Sequence, residues 1–159
     1  METANIRAIK NELQYLQKEE LLEICLKLAK FKKDNKELLT YLLFESGNEQ
    51  RYIEGVCDYI SYEFDQINHS NFYYIRKSIR KILRQVRKFN RYSAKKSTEI
   101  EILIHFTKML TQIKPSIHNS STLLNLYSNM MQGLRKKIQK VHEDLQYDYL
   151  TELEAIQLN

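Results

Sequence analysis

Three glycines and one proline in 159 residues leave this chain almost without turn formers. Gly and Pro punctuate hairpins, tight turns and phosphate loops. Their scarcity argues against an all-β fold and against Gly-rich nucleotide sites. Walker and dinucleotide fingerprints are absent, as is a Gly-x-Ser-x-Gly elbow. Trp is missing too. No apolar run approaches the ~20 residues needed to cross a bilayer. Met1 to Gln17 lacks the charged, then apolar, then small order of a secretory signal. The two cysteines, Cys25 and Cys57, are far apart and form no C-x-x-C. Both sit among apolar neighbours in helical patterns, so two reduced, buried thiols and a cytoplasmic location are expected. One further absence is local: residues 66–98 contain no acidic side chain.

What that stretch does contain is ten basic residues: Arg76, Lys77, Arg80, Lys81, Arg84, Arg87, Lys88, Arg91, Lys95 and Lys96. The whole chain is +5, so the other residues set fifteen bases against twenty acids. Five of the eight arginines lie here, against five of the seventeen lysines. A Lys-rich background does not explain that concentration. Arg suits paired contacts with phosphate or carboxylate.

At 43% hydrophobic and 28% charged residues, the composition is that of a folded protein with broad solvated surfaces. The periodicity is helical throughout. A first helix is expected over Ala4 to Leu16 and a second over Lys18 to Phe31. A third runs from Lys36 to Ser46, nearly apolar all round, and is expected to be central and covered. Gly47-Asn48 ends it. A fourth covers Glu49 to Ile67, with Ile53, Val56, Ile60 and Phe64 on one side. The Asn68–Asn71 turn follows, with Ser70 or Asn71 as N-cap. The basic fifth helix covers Phe72 to Tyr92. A sixth runs from Ser97, capped by Ser97 or Thr98, to Ile113. A seventh starts near Ser120 or Ser121 and its pattern runs on past Tyr147, with a fraying end over Leu150 to Asn159.

These patterns predict an all-α fold: six or seven antiparallel helices in a single domain over 1–159. A weak internal echo links Lys30-Phe31 and Leu42-Leu43-Phe44 to Lys88-Phe89 and Leu103-Ile104-His105-Phe106. An α-α superhelix of stacked helical hairpins is favoured over a closed helical bundle, because the helices from Glu49 onward look one-sided. At the level of architecture alone, the chain resembles stacks of the HEAT or armadillo kind.

At 100° per residue, Ile75, Ile79, Ile82, Leu83, Val86 and Phe89 share one arc of the fifth helix. Arg76, Lys77, Arg80, Lys81, Arg84, Arg87, Lys88 and Arg91 lie opposite. They form a solvent-facing ridge roughly 25 Å long. Like charges at i,i+4 repel by a few tenths of a kcal/mol per pair, about 0.2–0.5, so something should compensate. Three compensations compete. Glu49, Glu54, Asp58, Glu63 and Asp65 of the preceding helix could neutralise the ridge internally. An acidic protein partner or other anionic surface could meet it. Nucleic acid could bind it, with Tyr73, Tyr74 or Tyr92 stacking on bases.

Other candidate chemistry is sparse. Glu101 and His105 share a helix face at i,i+4, but no Glu-x-x-His occurs, so a dinuclear carboxylate site is not expected. Tyr52, Tyr59, Tyr62, Tyr73 and Tyr74 read as packing between helices. Arg135-Lys136-Lys137 with Lys140 reads as a solvated basic face. The expected function is a non-enzymatic interaction or scaffold module that presents residues 72–92 to an acidic partner. The alternative is a nucleic-acid-binding accessory protein using the same ridge. No catalytic residue, metal ligand or cofactor is expected.

Overall fold

A computed structural model describes residues 2–156. The elements are α1 (Ile6–Leu13), α2 (Lys18–Phe31), α3 (Lys33–Thr40), a π-helical turn (Tyr41–Glu45), α4 (Glu49–Asp65), α5 (Phe72–Ser93), α6 (Lys96–Thr111), a short 3-10 turn (Ile117–Asn119), α7 (Ser121–Ile138) and α8 (Glu143–Glu154). The all-α expectation holds, and no strand occurs among the described residues. None of these helices is long and apolar enough to cross a membrane. The chain packs as two compact units, residues 1–44 and 45–159.

In the first unit, Asn5 caps α1 by accepting from the Ala8 N–H at 2.9 Å. α2 has the predicted bounds, and the Glu20 carboxylate accepts from the Gln17 N–H at 2.8 Å. The Asn35 amide donates to the Leu28 carbonyl at 2.9 Å and pins the α2–α3 corner. The third helix departs from expectation. It starts earlier, at Lys33, and gives way to the π-helical turn after Thr40. It is not covered: Tyr41 is buried, while Leu42, Leu43 and Phe44 are 52%, 65% and 75% exposed. Three short helices make no second layer to lie over it. Cys25 is exposed rather than buried, for the same reason.

In the second unit the central helix is α6. It packs against α4, α5, α7 and α8. Ile100, Ile102, Leu103, Ile104, Phe106 and Leu110 are all buried, so α6 is covered around most of its circumference, apart from the stripe of Glu101, His105 and Lys108. Phe106 meets Phe64 edge to face at 5.4 Å. Each fully buried Ile or Phe contributes about 1.5–3 kcal/mol over its exposed state. α6 starts at Lys96, and the Thr98 hydroxyl does not cap it. It donates to Glu49 of α4 instead, at 2.7 Å.

The expected seventh helix is two helices. α7 stops at Ile138 and α8 starts at Glu143, with His142 as its N-cap and Glu143 and Asp144 in the first turn. Acids there favour a helix start, because they face the positive end of the helix dipole. Leu153 and Ile156 are buried, so the end does not fray over Leu150–Ile156; residues 157–159 lie outside the described residues.

One core position of α5 is polar. Asn90 is 7% exposed, and its side-chain amide has no hydrogen-bond partner among the described residues. A buried unpaired polar group costs about 1–3 kcal/mol. Asn90→Leu, of similar shape, should therefore stabilise the protein by about that much. Chemical denaturation would read it as a raised midpoint at constant slope, and an unchanged or lower midpoint would count against it.

Candidate functional site

The basic ridge sits where the sequence puts it, because both ends of α5 are well defined. Asn71 caps the start: its Oδ1 accepts from the Tyr73 and Tyr74 N–H groups at 2.9 and 3.2 Å. Ala94 ends the helix in a left-handed conformation, φ 56°. Ile75, Ile79, Ile82, Leu83 and Val86 are buried, facing α4 and α6. Phe89 is only half-buried. Its ring meets Tyr59 edge to face at 5.4 Å, and its carbonyl accepts from the Tyr52 hydroxyl at 3.0 Å. It is a rim residue, not a core one, and two of the expected packing tyrosines hold it.

On the opposite arc, Lys77, Arg80, Lys81, Arg84, Arg87 and Arg91 are exposed, and Arg76 and Lys88 half-buried. The expected cross-helix ion pair is present: Lys81 Nζ lies 3.2 Å from Glu63 Oε2. The other acids of α4 are turned elsewhere. Glu49 reaches past the C-terminal end of α5, to Lys95 Nζ at 2.8 Å. Glu54 and Asp58 line a separate depression with Glu45 and Arg51. Arg76, Lys77, Arg80, Arg84, Arg87 and Arg91 have no carboxylate at ion-pair distance among the described residues.

Tertiary structure adds a feature that no spacing in the sequence signals. Arg76, Lys77, Arg80 and Arg84 line an open depression of about 530 Å³ with Tyr73 and, from the first turn of α7, Thr122. No carboxylate lines it. Tyr73 is 62% exposed and leans edge-on against Tyr74 at 5.4 Å. Tyr92, at the other end of α5, packs on Phe89 at 6.3 Å. The second basic cluster is partly neutralised, since Lys137 Nζ lies 2.9 Å from Glu99 Oε1.

The Glu101–His105 pair does not converge on a common site. Glu101 accepts from the Tyr149 hydroxyl at 2.7 Å. His105 Nε2 lies 2.9 Å from Ser61 Oγ. Ser61 donates its proton to the Cys57 carbonyl at 3.1 Å, so its lone pair faces the imidazole. That is the geometry of a packed contact between α4 and α6, in which His105 donates. Burial pushes the Cys57 thiol up to about 11, helped by the nearby Glu101 charge, which keeps it a protonated, unreactive thiol. The described residues contain no group of three or more His, Cys, Asp and Glu placed to hold a metal.

Burial, aided by the Lys108 charge, holds His105 below its ordinary value of 6.5. The unfolded chain then binds the proton more readily than the folded one. This contribution to stability is present above the unfolded value and is lost as pH falls from there through the lowered folded value. The melting temperature of the wild type should drop more between neutral and acidic pH than that of His105→Gln. Parallel pH profiles for the two proteins would refute this.

Comparison of this chain with protein-family models, with curated proteins and with solved structures finds no match.

Proposed function

We infer that this protein is a non-enzymatic interaction module whose α5 face receives an acidic protein partner. The observation that carries the reading is the acid-free depression where Arg76, Lys77, Arg80 and Arg84 converge. Arg76, Arg80 and Arg84 follow one another at about 6 Å along the helix. Carboxylates one turn apart on a partner helix have the same spacing, which suits paired Arg–carboxylate contacts. Opposite charges across such a surface speed association and select partners.

A second reading, single-stranded nucleic acid, draws support from Tyr73, an exposed ring beside four cations. One ring is a thin platform where such binders use successive ones, so the acidic partner is preferred. The deciding experiment compares a Glu-rich helical peptide with a single-stranded oligonucleotide as ligands. Preferential peptide binding supports the leading reading. Preferential oligonucleotide binding replaces it with the second, and binding of neither ends both.

A further inference from the structure

Four cations of the ridge close on one volume: Arg76, Lys77, Arg80 and Arg84 line the depression of about 530 Å³, and Arg87 and Arg91 lie beyond it. The outer pair, Arg76 and Arg84, start about 12 Å apart at 1.5 Å of helix per residue. Tyr73 and Thr122 add hydroxyls, one from the start of α5 and one from the first turn of α7. Every lining side chain therefore ends in a hydrogen-bond donor, and none is a carboxylate. All six residues belong to the second unit. We propose that the depression seats a phosphate monoester, carried on a phosphorylated side chain of the acidic partner, between α5 and the first turn of α7.

Charge and shape select phosphate over carboxylate. One carboxylate would set a single negative charge against four positive ones. A phosphorylated side chain carries about −1.5 to −2 at neutral pH. Its three terminal oxygens spread as a tetrahedron, whereas the two of a carboxylate lie in one plane. Donors that approach from two helices, α5 and α7, suit the first shape. Each guanidinium presents its N–H donors as a fixed fork that pairs with two phosphate oxygens at once. Arg76, Arg80 and Arg84 repel one another at i,i+4, and a dianion among them offsets that repulsion. Arginine clusters are a recurrent means of reading a phosphorylated residue. A phosphodiester brings one charge per nucleotide along a strand, which suits the length of the ridge better than one depression. Phosphorylation of the partner then switches its recruitment. The seat refines the α5 face proposed above and holds only if that face receives an acidic partner.

The test titrates the full chain by calorimetry with three ligands at one ionic strength. They are the Glu-rich helical peptide, the same peptide with phosphoserine in place of its central glutamate, and a single-stranded oligonucleotide. The phosphoserine peptide should bind about tenfold tighter than the Glu peptide. Inorganic phosphate should displace it, and chloride at the same ionic strength should not. Thr122→Val removes a hydroxyl from an exposed position and should cut the phosphopeptide's lead about fivefold. Arg80→Lys keeps the charge, loses the fork and should weaken the phosphopeptide about tenfold. Equal affinity for the two peptides overturns the proposal and leaves the acidic-partner reading standing. Binding of neither peptide ends both. An oligonucleotide that outbinds the phosphopeptide moves the phosphate onto nucleic acid and overturns the proposal as well. So does a phosphopeptide whose affinity is unchanged in both variants.

Discussion

Glu49→Ala should lower the stability of the protein by about 2–4 kcal/mol, the largest loss expected from a single substitution outside the apolar core. Glu49 opens α4 and is held by groups that belong to the far end of α5 and the start of α6. Its carboxylate accepts from the Ser93 and Thr98 hydroxyls and pairs with Lys95 at 2.8 Å. Its side chain is only 18% exposed, and Thr98 is fully buried. Hydrogen bonds to a charged group are worth about 1.5–3 kcal/mol each, and a buried hydroxyl left without its acceptor adds a desolvation penalty. These terms overlap, so they do not simply add. Glu49→Gln keeps an acceptor oxygen and loses the charge, and should fall between wild type and Glu49→Ala. Thermal melts of the three proteins test this. A Glu49→Ala melting temperature equal to that of wild type would show that the cluster fastens nothing.

Reversing the charge of Arg76, Arg80 and Arg84 together should abolish anion binding while leaving the fold intact. All three project away from the buried arc of α5 and have no carboxylate partner among the described residues, so their replacement removes no structural contact of that kind. Glu at these three positions would repel one another at i,i+4 as the arginines do, but would face the remaining bases of the ridge with opposite charge, so the melting temperature should change little. Binding of a Glu-rich peptide at low salt should fall below detection. If the oligonucleotide is the better ligand, four phosphate contacts predict a loss of about 50-fold in affinity between 50 and 200 mM salt for the wild type. The triple variant would lose that slope. Unchanged binding in the variant would remove α5 as the site. A fall in melting temperature with no binding to lose would mean that the ridge is neutralised inside the protein after all.

Lys81 lies on the same ridge and answers differently. Its partner Glu63 is present, and both side chains reach solvent, at 72% and 21% exposure. Exposed pairs of this type contribute about 0–1 kcal/mol. One such rung offsets little of the repulsion along α5, which leaves the convergent arginines as the part of the surface with a use still to fill.

The helical class, the ends of α2 and the two arcs of α5 were legible in the amino-acid order alone. Local chemistry settles each of them. A 3.6-residue period sorts Ile75, Ile79 and Ile82 from Arg76, Arg80 and Arg84 whatever surrounds the helix. Asn71 caps with its own side chain, which needs no distant partner. Other features depended on what the helices met in space. The apolar runs within Leu38–Phe44 and Ile100–Leu110 look alike in sequence, although Glu101, His105 and Lys108 interrupt the second. Only the second has four helices packed on it and becomes the centre of a core. Thr98 reads as a cap, but a carboxylate brought from α4 competes for its hydroxyl and wins. The break at His142 was available in the acids that follow it, yet the apolar period ran through it unbroken. Thr122 joins the four cations of α5 because the chain returns past them, and no spacing along the sequence encodes that approach. Periodicity determines which side of a helix is buried. The packing of one helix on another determines how much of it is buried, and which charges are left facing outward together.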